Sequence, residues 1–376
     1  MNSATIVAEA QRISGLAEFD SDSFREGLDI LTGRLAAVRD LNDAGRQTIT
    51  GIAVSLLANR LRVADYARRH TEILRREVDS PVIILGMPRT GTTMLSHLLS
   101  VDPDRRSLLR WEAFDSVPPA TQATLRTDPR CLAMMETDRS GVTSSSDIHI
   151  ERADLPIECI ILLAHDFKSV LWAGLVEDRH YTDWFLSCDM TSAYAYHKLQ
   201  LQVLQSYTQG RWTLKAPSHA LFIPTLRRTY PNTRIIWTHR DPYKAMGSVC
   251  SLIADSRRAF GTVDEATIGP NSVELFTQHL LRPMAIQRQE GQGSMYNLHY
   301  ASLVRDPISE MRRLYRWLGD PFTEQVEANM RSWLLEYPQG KFGRHPYYLE
   351  RFGLSVESLR PHFQDYVDQY EVAAEV

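Results

Sequence analysis

The sequence predicts an α/β fold: three layers with a central parallel sheet, an N-terminal helical extension over residues 1–78 and a helical insertion over 103–210. Two observations predict it. Short apolar runs of the buried-strand type recur along the chain, each followed by a helical pattern, and that alternation belongs to parallel sheets covered on both faces. The composition is also that of a folded chain, with 43% hydrophobic and 23% charged residues and 19 glycines and 18 prolines in 376 positions. Disorder and small disulfide scaffolds are excluded on that ground.

The elements follow in order. Phe24, Leu28, Leu31, Leu35 and Val38 form one apolar stripe, with Ser21 or Ser23 placed to cap the helix. A second pattern runs through Ile49, Ile52, Leu56, Tyr66, Ile73 and Leu74. The character changes at Pro81. Val82 to Leu85 is a buried-type strand, Gly86 to Thr93 a loop, and Met94, Leu95, Leu98 and Leu99 begin a helix. The insertion carries Pro118-Pro119, a serine-rich loop at 143–146, and helical patterns near 129–138, 156–167 and 191–209. Strands are then predicted at Arg211–Lys215, Thr233–His239 and Met295–Tyr300. Helices follow them at about 218–229, from about Pro242, and at Pro307–Leu318. Ligands on such sheets bind beyond the carboxyl ends of the strands.

Charge narrows the function. Lys and Arg number 42 against 46 Asp and Glu, a net charge of −4, so a nucleic-acid partner bound by bulk charge is not expected. The four cysteines form no CxxC pair, and no histidine cluster has zinc spacing, so no metal is expected. The N-terminus lacks the pattern of a signal peptide. The longest apolar run is six residues, Cys159 to Ala164, where a membrane span needs about 20. The expectation is a cytoplasmic protein without a membrane span, for which peripheral membrane contact stays open and no oligomeric state is predicted.

Gly86-Met87-Pro88-Arg89-Thr90-Gly91-Thr92-Thr93 sits between a strand and a helix. That context aims backbone N–H groups and a helix dipole at one point, which makes an anion site. The glycine spacing is that of a P-loop, but Thr92 stands where a Walker A loop has its lysine, and Arg89 is the only cation in the loop. The loop suits a single 5′-phosphate-like group with no magnesium bridge.

This P-loop-like segment resembles the 5′-phosphosulfate loop of sulfotransferases that use 3′-phosphoadenosine 5′-phosphosulfate (PAPS). It is closest to the G-x-P-R-S-G-T-T form of tyrosylprotein sulfotransferases and bacterial relatives. The resemblance implies that Arg89, Thr90, Gly91, Thr92 and Thr93 hold the phosphosulfate. Thr233 to Pro242, with Ser248 eight residues after Arg240, resembles the family's 3′-phosphate site and assigns Arg240 and Ser248 to it. An arginine fork and a hydroxyl suit phosphate oxygens. Leu214-Lys215-Ala216-Pro217 resembles the Lys-x-Pro element, which implies that Lys215 assists the leaving phosphate, alongside Arg89. His299 to Pro307 resembles the H-Y-x-x-L-V-x-x-P stretch, which places Tyr300 near the 3′-phosphate end. The Gly340–Tyr347 loop sits where the family carries a basic lid, with Lys341 and Arg344 as its contacts.

Sulfuryl transfer to a hydroxyl also needs a base. In the tyrosylprotein branch it is a Glu about twenty residues past the loop arginine, and Glu112 lies 23 residues after Arg89. Glu112 is the first choice. His149, Glu151, Asp154, Glu158 and His165 remain rivals, and Glu158 stands among Ile157, Ile160, Ile161 and Leu162, where a carboxylate must be paired or face a pocket. Phe167, Trp172, Tyr181, Trp184, Phe185, Tyr194 and Tyr196 are either core or the lining of an apolar acceptor pocket. In the second case the acceptor is a small-molecule, lipid or glycolipid hydroxyl. The alternatives are a P-loop kinase or nucleotide hydrolase, which would need the missing lysine, and a non-catalytic nucleotide-binding protein.

Overall fold

The computed structural model describes residues 2–38, 40–139, 152–338 and 348–375. Five strands occur among the described residues: β1 (Val82–Gly86), β2 (Arg105–Ser107), β3 (Arg211–Lys215), β4 (Arg234–His239) and β5 (Tyr296–His299). They lie in the order β2-β3-β1-β4-β5, and every pairing is parallel. β1 takes the centre because all five of its residues are buried. Its side chains alternate between two cores. Ile83 and Leu85 join the larger one, while Val82 and Ile84 join Leu95, Leu98, Met311 and Leu314 on the opposite face.

β2 was not foreseen, because Arg-Arg-Ser has no apolar residue. It is an edge strand whose arginines are satisfied from outside the sheet. Arg105 pairs with Asp102 and Asp320, and Arg106 pairs with Glu112 and lies 4.7 Å over the Trp212 ring.

The N-terminal helices are α1 (Ser3–Ser14), α2 (Phe24–Ala37) and α3 (Asp43–Arg69). Phe24, Leu28, Leu31 and Leu35 of the predicted stripe are buried on α2, with Val38 half-buried just past its end, although Ser23 donates to Asp166 instead of capping the helix. Arg60 of α3 is fully buried and pairs with both Asp20 and Asp166, which ties these helices to the insertion. Removing Arg60 would leave the buried Asp166 carboxylate without this partner.

After β1 come α4 (Thr92–Ser100), α5 (Arg110–Phe114), α6 (Pro129–Arg139), α7 (Ile160–Ala164), α8 (Val170–Val176), α9 (Arg179–Ser187) and α10 (Thr191–Leu204). α7 is shorter than expected because the residues before it are bound elsewhere. Ile157 N–H donates to the Leu108 carbonyl and Cys159 N–H to the Lys215 carbonyl. The helix predicted at 218–229 divides into a 3-10 turn (Pro217–Leu221) and α11 (Ile223–Thr229), where Pro224 opens a new first turn.

The remaining helices are α12 (Pro242–Arg258), α13 (Glu265–Glu290), α14 (Tyr300–Arg305), α15 (Pro307–Leu318), α16 (Glu324–Glu336) and α17 (Val356–Gln369). α13 escaped the sequence reading because Pro270 and Pro283 lie inside it, and prolines read as breaks. No helix among the described residues is long and apolar enough to cross a membrane.

Candidate active site

The loop after β1 turns on residues with unusual backbone. Gly91 has φ 89°, and a Cβ there would stand 2.7 Å from the Tyr300 ring. Arg89 holds the left-handed conformation at φ 70° without being glycine. This turn aims the start of α4 into a cavity of about 690 Å³, whose lining includes Arg89, Gly91, Thr92 and Thr93. Thr90 departs from expectation. Its hydroxyl is buried, donates to the Met87 carbonyl at 2.7 Å and meets the Thr238 hydroxyl at 2.6 Å. The Thr90 side chain therefore fastens the loop to β4 and does not line the cavity.

The two signatures meet in space. Arg89 Nε donates to Ser248 Oγ at 3.0 Å, and Arg240 Nη1 donates to the Arg89 carbonyl at 2.7 Å. The Arg240 guanidinium lies 4.3 Å over the Tyr300 ring. Its remaining edge is taken by Glu375, which accepts from Nε and Nη2 at 2.7 Å each. Glu375 N–H in turn donates to Asp241, the N-cap of α12. No local pattern marks Glu375, since it reaches the site only through the fold.

Lys215 and Glu158 form the next station. Lys215 is buried at the end of β3, and its Nζ donates to Glu158 Oε1 at 2.7 Å. Glu158 lines the cavity, whereas Lys215 stands behind it. The first-choice base lies elsewhere. Glu112 is fully buried, pairs with Arg106 and accepts from the Leu109 N–H, which makes it the closing carboxylate of a helix start, and it does not line the cavity. Asp154 is held by Arg152. His165 bonds Asn59, and burial pulls its pKa down to about 3. Neither lines the cavity. His149, Glu151, Lys341 and Arg344 lie outside the described residues.

Beyond Glu158 the wall turns apolar, through Val170 and Ala173 of α8, Val249 and Leu252 of α12, and Leu275 and Phe276 of α13. None of the seven aromatics of the insertion lines it. They pack in the core instead, with Phe167 stacked on Trp172 at 5.1 Å. Polar residues break this wall as well: Glu177, Asn271 and Ser272 line it, and so do His279 and Ser218, two groups that sequence reasoning missed. His279 donates from Nδ1 to the Leu275 carbonyl at 2.8 Å, and Nε2 is buried with no partner. Burial pulls its pKa down to about 4, so at neutral pH Nε2 carries a lone pair. Ser218 Oγ is likewise buried and unpartnered. Its neighbourhood was readable from Lys215-Ala216-Pro217, while nothing in α13 marks His279.

A model of the sulfotransferase family matches residues 81–324 of the chain. The chain belongs to the sulfotransferase family. It is an enzyme that transfers sulfate. Among solved structures, sulfotransferase STF9 from Mycobacterium avium is 38% identical, with a TM-score of 0.94 over 100% of this chain and 98% of that one. Sulfotransferase STF1 from Mycobacterium tuberculosis H37Rv is 26% identical, with a TM-score of 0.87 over 97% and 99%. Omega-hydroxy-beta-dihydromenaquinone-9 sulfotransferase Stf3 of Mycobacterium bovis is 25% identical over 297 residues, 78% of this chain and 75% of its own length. In this sulfotransferase the matched region ends at the first residue of α16, so Trp333, Leu334 and Tyr337, which close one side of the cavity, lie beyond it.

Proposed function

We propose that this sulfotransferase moves the sulfuryl group of PAPS to the hydroxyl of an apolar acceptor, a hydroxylated lipid or lipid-like small molecule. The observation that carries the reading is one cavity with two unlike ends joined at a carboxylate. Arg89 and Arg240 line one end, with Ser248 bonded to Arg89, as groups for two phosphates; the α8–α12–α13 wall at the other end is largely apolar, and Glu158 stands at the junction. The relative Stf3 is named for an ω-hydroxylated dihydromenaquinone, which agrees with an apolar acceptor. The four free cysteines support a reducing, cytoplasmic setting.

In this reading Glu158 replaces Glu112 as the base. The acceptor oxygen forms a bond to sulfur as the bond from sulfur to the bridging phosphate oxygen breaks, and the acceptor proton passes to Glu158. Lys215 Nζ donates to Glu158 Oε1 and holds the carboxylate in place beforehand. Once the carboxylate is neutralised, the same ammonium is released to the developing charge on the leaving phosphate, with the Arg89 guanidinium beside it. Charge placed in advance in a site shielded from water is worth more than charge recruited from solvent. Ser218 Oγ is available to donate to the acceptor oxygen.

Calorimetric titration tests the donor half: 3′-phosphoadenosine 5′-phosphate, ATP with magnesium, and AMP. Binding of the first alone supports two phosphate sites, and preference for ATP with magnesium would give the site to a kinase. Transfer assays with ω-hydroxylated isoprenoids against anionic polysaccharides test the acceptor half, and turnover of the polysaccharides alone would remove the lipid assignment.

A further inference from the structure

Three side chains that the proposed reaction does not use converge in the core behind the Lys215–Glu158 pair. Cys159 precedes α7, His197 lies on α10, and His219 lies in the 3-10 turn after β3. All three are fully buried. The thiol sulfur and one ring nitrogen from each imidazole all lie within 4.8 Å of one another.

The rings are held from outside. His197 Nδ1 meets the Tyr230 hydroxyl at 2.6 Å, and His219 Nδ1 meets the Tyr194 hydroxyl at 2.8 Å. The two Nε2 atoms are left, and both are buried with no hydrogen-bond partner. Leaving two such atoms desolvated is costly, and native cores seldom do it without a reason. When each Nδ1–H donates to its tyrosine, each Nε2 presents a lone pair. Orientation of a ligating imidazole through its other nitrogen is the usual outer shell of a metal site. One thiolate and two imidazoles suit a thiophilic cation and not magnesium or calcium, which take oxygen ligands.

We infer that Cys159, His197 and His219 form a binding site for a thiophilic d10 cation, zinc(II) or copper(I). On binding, the Cys159 thiol releases its proton to solvent, the imidazoles stay neutral, and no electron is transferred. Copper(I) is satisfied by three ligands, whereas zinc takes a fourth from water. The ion would tie three separate segments at one point. Cys159 adjoins Glu158, its N–H donates to the Lys215 carbonyl at 2.8 Å, and His219 lies one turn beyond Lys215. The cation would thus hold the turn that carries Glu158 against the strand that carries Lys215. Spacing rules miss the cluster because its members come from three elements.

The burial of the site means that metal enters as the chain folds. The test therefore refolds the full chain in zinc(II), in cobalt(II) as a spectroscopic substitute for zinc, and anaerobically in copper(I) against a competing chelator. Metal per chain is measured after gel filtration. The expected result is one equivalent, with a cobalt–thiolate charge-transfer band in the cobalt sample and a higher Tm for the loaded protein. Cys159→Ser and His219→Gln should lose the equivalent and the band while keeping the circular dichroism of the wild type, and Cys131→Ser should lose neither. Zinc uptake with the cobalt band assigns zinc, and uptake of copper(I) alone assigns copper. A refolded wild type that takes up neither overturns the inference, as does an equivalent that Cys159→Ser and His219→Gln both retain. The metal count does not depend on nucleotide binding or turnover, so its failure is distinct from failure of the proposed reaction.

Discussion

The two ends of the cavity are built in opposite ways. At the end we assign to the nucleotide, the groups come from two short segments, Gly86–Thr93 and Arg240–Ser248, each a strand end running into a helix. At the acceptor end, Glu158 comes from the turn before α7 and Ser218 from the turn after β3, while α8, α12 and α13 supply the wall. Anion recognition depends on backbone N–H groups and dipoles at strand ends, and a few consecutive residues can encode it. An apolar wall needs only side chains that face one space, so residues far apart in sequence can share it.

The largest expected effect is at the junction. Glu158→Gln should lower kcat by about 10²- to 10⁴-fold, the usual range for losing a base, with 3′-phosphoadenosine 5′-phosphate affinity unchanged. Glu112→Ala should do the reverse, lowering stability by about 3–5 kcal/mol because Arg106 is left as a buried unpaired charge, while the folded fraction keeps its kcat. Steady-state kinetics beside denaturant melts would separate the two carboxylates. If Glu158→Gln keeps full turnover, the two ends are not joined where we place the base.

The next effect concerns pH. The His279 pKa is depressed by burial from an ordinary 6.5 to about 4, and the His165 and His239 pKa values to about 3. The folded state therefore binds fewer protons than the unfolded state between those values and 6.5. Stability should be fully present above about pH 6.5 and fall as the pH drops toward 4, by up to about 1.4 kcal/mol per pH unit for each histidine. Tm measured from pH 8 to 4 should be flat and then decline. His279→Asn should shallow the decline by one proton without altering nucleotide affinity, and an unaltered slope would mean that His279 is not buried as a neutral ring.

Smaller effects belong to the nucleotide end. Arg240→Ala should weaken 3′-phosphoadenosine 5′-phosphate binding by about 1.5–3 kcal/mol, the range for a charge-assisted bond, and calorimetry showing no change would remove the 3′-phosphate assignment. Glu375 occupies the same guanidinium edge, and in the proposed reading it competes with the ligand. Glu375→Gln should tighten binding by about 0.2–1 kcal/mol, since the pair is partly exposed and screened. Weaker binding in that variant would show that Glu375 orders the site instead of blocking it.

The sheet was legible at β1, β3, β4 and the edge strand β5, and illegible at β2, whose two arginines make sense only beside Glu112, Asp102 and Asp320. α13 was hidden by its prolines. Among the site residues, Arg89, Arg240, Ser248 and Tyr300 were named from sequence and meet in space. Glu112 was chosen over Glu158 because spacing along the chain cannot tell a carboxylate facing a cavity from one closing a helix start. The insertion's aromatics were undecided for a similar reason, since large rings serve a core and a pocket equally well.

The sequence by itself determined the strand–helix grammar, the anion loop with Thr92 at the Walker lysine position and Arg89 as its cation, and the family to which these belong. Each rests on local geometry within about ten residues, which neighbouring residue types specify directly. Tertiary structure decided which carboxylate faces the cavity, which helices make its apolar wall, that Glu375 sits on Arg240, and that Cys159, His197 and His219 share one point in the core. These are contacts between distant segments, set by how the layers pack and not by residues adjacent in the chain.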